Sequence, residues 1–299
     1  PNDRSHTADV MYYFWVRELD CVSCGNTVPL FRDYRVAKGR YENDDKYNVY
    51  CPSCESVVLV DDWQSECVCS ECSYEFVPKE GNVSRGDYTC SDCGQKYGLI
   101  DGVQEQGGYK TRQYGVEYYC SECDTEGRVR SKVKGYKQIE DSDQENWEEA
   151  KQKWENNNNL DDYVPDSEIP LGIMTDSTKF SGSIGGGHNI LRHGFKKWSD
   201  FYNERQLLCL STLLRRIDQV EDQNAKELLL LAFSESLNFN STLNPYQAAR
   251  NHTNHLFKTN AFDTPTKISE GNLWGAKYGI GTFQSTWSMI LKAVDYEIG

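Results

Sequence analysis

The pair C-x-x-C occurs five times between Cys21 and Cys123, as CVSC, CPSC, CSEC, CSDC and CSEC. The sulfurs are those of Cys21 and Cys24, Cys51 and Cys54, Cys69 and Cys72, Cys90 and Cys93, and Cys120 and Cys123. Two thiolates two residues apart can hold one metal ion from a tight turn, and two such turns complete a tetrahedron around Zn²⁺. One pair alone would fit a redox dithiol; five in roughly a hundred residues point to structural zinc. The pairing is open on spacing alone. Cys24 to Cys51 and Cys93 to Cys120 each enclose 26 residues, which suggests two ribbons of one gauge, 21–54 and 90–123. A second scheme joins Cys51/Cys54 to Cys69/Cys72 across 14 residues, and a third joins Cys69/Cys72 to Cys90/Cys93 across 17. Five pairs cannot fill whole four-cysteine sites. Two complete zinc ions are therefore the floor, and a third would need Cys67, a histidine or an interleaved partner.

The chain that positions these sulfurs is 299 residues long, enough for two or three domains. Its hydrophobic content is 38 % with a mean hydropathy of −0.72, polar but not a disordered composition. No apolar run approaches the ~20 residues of a membrane span, and the start is not a signal segment. Reduced thiolates in metal spacing fit an intracellular, cytoplasmic setting. The first residue is Pro1, and the expectation is a piece of a longer protein. Net charge is −14, and the stretch 137–170, with eleven Asp/Glu against three Lys, holds more than half of it. Such a balance opposes non-specific nucleic-acid binding while leaving room for local basic faces.

Several elements can be read in order. In MYYFWVREL, Tyr12, Phe14 and Val16 alternate with Tyr13, Trp15 and Arg17, which predicts a strand buried on both faces leading into the first cysteine pair. Two stretches are basic: 31–41, with Arg32, Arg35, Lys38, Arg40, Tyr34 and Tyr41, and RVRSKVKGYK at 128–137. As a strand, the latter would set Arg128, Arg130, Lys132 and Lys134 on one face, able to follow phosphates; the plainer reading is a solvated, aggregation-blocking edge. Residues 137–170 form an acidic, Asn-rich connector with a short helix at NWEEAKQKWE, and its carboxylates mark a solvated surface rather than catalysis. SGSIGGGH at 181–188 fits no phosphate-loop spacing and reads as a surface loop. Asn203 with Gln206 forms a capping box for a helix carrying Leu207, Leu210, Leu214 and Ile217. Asn224 with Glu227 repeats the signal before LLLLAF (228–233), a run that predicts a helix enclosed on most sides; Cys209 reads as packing. His252 and His255 read as a polar helix turn, 271–283 as a packed loop, and STWSMILKAV as a final amphipathic helix.

WSDFYNERQLLCLSTLLRRI, with YFWVRELDCVSCGNTVPL and VPDSEIP, resembles the zinc-ribbon-containing, adenine-specific DNA methylases of archaea and bacteria, from about Ala8 to the end of the chain. The F-x-x-x-R-Q-L-L core (Phe201, Arg205, Gln206, Leu207, Leu208) is its most specific part. The resemblance implies a parent that binds S-adenosylmethionine and acts on DNA, as in restriction–modification. It supplies no catalytic residue here: D-P-P-Y, N-P-P-Y and D-P-F-x-G-x-G do not occur, and Leu243-Asn244-Pro245-Tyr246 is one proline short. Only the ribbon cysteines carry over. The expected architecture is α+β, with a zinc-ribbon array at 1–136, an acidic linker at 137–198 and a mainly helical part at 199–299. That last part would pack on a Rossmann-like catalytic segment supplied in cis or in trans. The expected function is DNA engagement or scaffolding through zinc, with phosphate contacts from Arg32, Arg35, Arg128, Arg130, Lys132 and Lys134. The alternatives are a non-catalytic protein-interaction module, favoured by the charge, and an enzyme built on His188, His193, His252 and His255.

Overall fold

The computed structural model describes residues 6–39, 45–129, 133–180, 189–258 and 262–298. The first third holds β1 (Asp9–Asp20), β2 (Thr27–Pro29), β3 (Arg35–Lys38), β4 (Tyr47–Tyr50), β5 (Val57–Val60), β6 (Cys67–Val68), β7 (Glu75–Phe76), β8 (Val83–Ser84), β9 (Asp87–Thr89) and β10 (Lys96–Gly98). The middle contributes α1 (Leu99–Gln106), β11 (Lys110–Tyr119), α2 (Ser121–Thr125), β12 (Lys134–Lys137) and α3 (Asp141–Glu155). Then come α4 (Glu204–Asp218), α5 (Gln223–Leu237), β13 (Tyr246–Gln247), β14 (His252–Thr253), β15 (Lys267–Gly271) and α6 (Phe283–Ile298). The fold is thus mixed α and β, built of many short antiparallel strands with six helices among the described residues. None of these helices is long and apolar enough to cross a membrane.

β1 organises the rest. It pairs with β11 from Asp9↔Tyr119 to Glu18↔Lys110, while β15 and β2 share its other edge. Every residue from Met11 to Leu19 is buried, as the aromatic run predicts. Tyr12, Phe14 and Val16 pack with Phe31, Tyr50 and Tyr114 on one face, and Tyr13 and Trp15 with Val116 and Ile268 on the other. The second face is closed by α3, whose Trp147 meets Trp15 edge-on at 4.6 Å. The connector therefore contributes a docked helix of fifteen residues. Its Asp143 departs from the solvated-surface expectation: it is buried, accepts from the Tyr13 hydroxyl and pairs with Lys137.

The C-terminal part is wired to the same strand through buried charge. Arg205 on α4 makes two 2.8 Å bonds to Glu270 of β15, which also accepts from Trp15 Nε1 at 2.7 Å. Arg17 donates to the carbonyls of Pro265 and Thr242 between the rings of Tyr109 and Phe195. Lys267 donates to Asp33 and to the Arg35 carbonyl. Placing a cation inside is tolerable only when its donors are all met, so these contacts fix register as well as position.

Helix α4 starts at the expected capping box, Asn203 Oδ1 accepting from the Gln206 amide at 2.8 Å and Gln206 Oε1 from the Asn203 amide at 3.0 Å. Other local expectations are corrected. Helix α5 is capped by Asp222, which accepts from the Ala225 amide, two residues earlier than Asn224. Its apolar run is not enclosed: only Ala232 and Phe233 are buried, and Leu231 is 61 % exposed, because α4 and α6 cover one side only. Cys209 is exposed on α4 rather than packed. His252 opens strand β14 instead of a helix turn. The glycine-rich stretch 181–188, with His188, lies outside the described residues.

Glu270→Ala would strand the Arg205 guanidinium in the interior and is expected to cost about 3–5 kcal/mol in a urea titration, whereas the double change Arg205→Met with Glu270→Leu should recover most of that loss.

Candidate metal centre

The structure gathers eight of the ten cysteines into two tetrads. Cys51, Cys54, Cys69 and Cys72 form one, as the 14-residue spacing allows. Cys21, Cys24, Cys90 and Cys93 form the other, a pairing nested around the first that none of the three adjacent-pair schemes contains. The equal 26-residue gauge is therefore coincidental. In the first tetrad Cys51 and Cys72, and Cys54 and Cys69, are 3.7 Å apart at sulfur. In the second, Cys21 and Cys93 are at 3.6 Å and Cys24 and Cys90 at 3.7 Å. A zinc–sulfur bond of about 2.3 Å demands a tetrahedral edge of about 3.8 Å, so these separations fit the ion. A disulfide would need roughly 2.05 Å, and all twelve cysteines are free.

Four copies of one turn create these sites. In each, the first cysteine's amide donates to the carbonyl five residues on: Cys21 to Asn26, Cys51 to Ser56, Cys69 to Tyr74, Cys90 to Gln95. The fifth residue's amide returns to the first cysteine's carbonyl, at 2.8–3.0 Å, from Gly25, Glu55, Ser73 and Gly94. All four of those residues have positive φ, which glycine takes at no steric cost and Glu55 and Ser73 take against it. Hairpins flank each turn: β4–β5 and β6–β7 for one tetrad, β1–β2 and β9–β10 for the other. Amides and hydroxyls aimed at the sulfurs favour thiolate. Cys54 is held down to about 6, chiefly by the Ser56 hydroxyl 3.4 Å away, and Cys21 to about 7, chiefly by the Cys24 amide, whereas burial pushes Cys51 up to about 12.

Both tetrads are fastened to the central sheet. Cys21 directly follows β1, and its half-site is tied across by Asn26 to Asp92 at 2.8 Å. Beside the other, Arg112 of β11 reaches Glu18 of β1, Glu55 of the cysteine turn and the Tyr50 hydroxyl next to Cys51.

Cys120 and Cys123 join neither tetrad. Their turn is the start of α2, with Cys120 Sγ accepting from the Cys123 amide, and the side chain beside them is His6. The sequence offered no signal for His6, which stands alone more than a hundred residues away. Cys67 lies in β6 outside all three groups.

The cations foreseen as phosphate contacts are dispersed. Arg32 is exposed. Arg35 stacks over Trp63 at 4.0 Å. Arg128 follows α2 off any strand and pairs with Glu126. Lys134 is buried, its ammonium 4.3 Å over Tyr278. Strand β12 starts at Lys134, where pairing with Tyr119 begins, so Arg128 and Lys134 share no strand face. Arg130 and Lys132 lie outside the described residues, as do Arg40 and Tyr41.

The histidines and the near-motif have structural roles. His193 Nδ1 is 2.6 Å from the Tyr109 hydroxyl, and neither His252 nor His255 enters a metal-competent group among the described residues. Asn244 is fully buried, with both amide hydrogens donated to the carbonyls of Asn238 and Asn254 and its oxygen accepting from Ser241. Tyr246 donates to Glu117. Neither side chain of that tripeptide is available to a substrate. Comparison of the chain with protein-family models, with curated proteins and with solved structures yields no match.

Burial, with Arg17 the next largest cause, holds His193 down to about 4. A histidine with a folded pKa below its unfolded value near 6.5 stabilises fully above that value, and the contribution drains away as pH falls toward 4. His193→Gln should therefore flatten the decline in urea midpoint between pH 6.5 and 4, by up to about 3 kcal/mol relative to the parent chain.

Proposed function

We propose that this chain is a zinc-stabilised module of an adenine-specific, S-adenosylmethionine-dependent DNA methyltransferase, engaging DNA or scaffolding the enzyme without performing methyl transfer. The observation that carries the zinc reading is the pair of preformed cysteine tetrads fixed to one sheet. Bound there, zinc supplies cross-linking to hairpins of two to four residues per strand, which cannot bury enough apolar surface alone. The methyltransferase reading leans on the resemblance through Phe201, Arg205, Gln206, Leu207 and Leu208 and on the ribbon cysteines. Arg32 and Arg128 are exposed cations, Arg128 paired with Glu126, and the exposed apolar side chains of α5 and α6 (Leu230, Leu231, Met289) suit a catalytic segment packing against them.

A second reading, a non-catalytic protein-interaction module, is favoured by the net charge of −14 and by an apolar cavity of about 790 Å³ beside α4 and α5, lined by Trp198, Leu210, Leu214, Phe233 and Phe262. Filled tetrads sharpen that argument, since four thiolates around one dication leave two negative charges each.

Elemental analysis of the reduced, purified chain should find at least two zinc ions, and Cys51→Ser should lower the count by one. Filter binding to duplex DNA separates the two functional readings: affinity should fall with salt, and Arg32→Ala with Arg128→Ala should reduce the log–log slope by about 2. No retention of DNA at about 50 mM salt by the zinc-loaded chain would leave the interaction module.

A further inference from the structure

We infer that His6, Cys120 and Cys123 form a third metal site, for a divalent ion of the zinc class, with one coordination position left to an exchangeable ligand. The inference stands on its own geometry and on no part of the methyltransferase reading. His6 Nδ1 lies 3.2 Å from Cys123 Sγ and 3.4 Å from Cys120 Sγ, and the three ligand atoms lie within 4.8 Å of one another. Two sulfurs and an imidazole nitrogen are a donor set that selects zinc over hard cations such as calcium or magnesium. Both cysteines are buried and the His6 side chain is 10 % exposed, so the cluster is part of the packed interior rather than a chance meeting of surface groups.

The imidazole is held for this task from both sides. The Thr7 amide donates to Glu122 of α2 at 3.2 Å, which brings the chain before β1 onto that helix. Glu126 Oε1 stands 3.8 Å from Nε2, the ring nitrogen turned away from the sulfurs. Glu126, held on its other oxygen by Arg128, is beyond hydrogen-bond distance there, and its charge on the distal side favours the proton on Nε2 and the lone pair on the metal-facing nitrogen. Glu126 is thus a positioning residue: it lies on the wrong side of the ring to be the fourth ligand.

Among the described residues no fourth histidine, cysteine or carboxylate joins the three. This separates the site from the two tetrads, which are coordinatively closed. Three protein ligands plus a solvent-derived fourth is the arrangement in which zinc exchanges a ligand, whereas four protein sulfurs make a structural clamp.

Metal-stripped full-length chain, titrated with Co²⁺ under reducing, oxygen-free conditions, tests this. Three equivalents should bind with thiolate-to-cobalt charge transfer, and added azide should alter the ligand-field bands of one of the three. His6→Ala should bind two equivalents, with the two tetrad spectra intact as proof of folding and with no response to azide. Glu126→Gln should still bind three, the azide-sensitive one about 10–100-fold more weakly. Saturation of the parent chain at two equivalents, or a third equivalent retained by His6→Ala, would overturn the site. Three equivalents with no azide response would overturn the open position.

Discussion

The ring of sulfurs made by Cys21, Cys24, Cys90 and Cys93 is the constraint on which the N-terminal half depends. It clamps the end of β1 to the end of β9, and the second tetrad lies wholly inside the loop it closes. Closing a flexible loop of about 65 residues costs roughly 4 kcal/mol, a cost that a structural zinc ion held by such a tetrad, worth about 10–16 kcal/mol, would exceed severalfold. Hairpins such as β6–β7, with two residues a strand, have no comparable source of stability. The hydrophobic clusters around the tetrads include the sulfurs themselves: Cys21 and Cys90 with Leu19, Val28 and Tyr88, and Cys51 and Cys69 with Val49, Val58 and Phe76. Metal and apolar packing therefore share the same few residues, and neither is complete without the other.

The nesting explains what could be read from the sequence and what could not. C-x-x-C is a local signal, so all ten ligand candidates are visible; the short-spaced partner of Cys51/Cys54 is among the readings that spacing allows, whereas the long-range meeting of Cys21/Cys24 with Cys90/Cys93 is set by the sheet. The same holds for His6, whose partners are brought to it only because Asp9 of β1 pairs with Tyr119 of β11, next to Cys120. Strand β1 was legible because nine successive buried residues leave a dense aromatic trace, and α4 because its capping box is written within four residues. KISEG, by contrast, has two charges in five residues and no alternation, yet it forms β15 because Arg205, Trp15 and Ser269's partners absorb its polar groups. LLLLAF misled for the opposite reason: apolar composition was taken for enclosure, while burial depends on what stands opposite.

Phe201, Arg205 and Gln206 hold the fold together. Phe201 packs with Phe195, Leu243 and Ile190; Arg205 neutralises Glu270 and lies over Tyr13; Gln206 closes the α4 cap. Of these, Arg205 is the one that joins α4 to the strand leading into the first cysteine pair. A motif of this kind is specific because several buried polar and aromatic contacts must be met at once, so its identity reports architecture before it reports chemistry.

The fifth cysteine pair shows how the same dipeptide spacing serves two ends. In the four tetrad turns the backbone reverses after the second cysteine, the fifth residue takes positive φ, and the chain returns as a strand that brings hairpin and sulfur together. After Cys120 and Cys123 the chain continues as a helical turn, the amide of Asp124 reaching back to the Cys120 carbonyl, and positive φ is delayed to Gly127. The chain returns as β12, and among the described residues no second cysteine turn faces the pair, so two sulfurs remain with one side of their coordination sphere unclaimed by cysteine. A side chain from the segment before β1 fills part of it, and one residue can fill only one position. The difference between a closed and an open centre is thus decided by local backbone path, before any question of which ligand takes the remaining place.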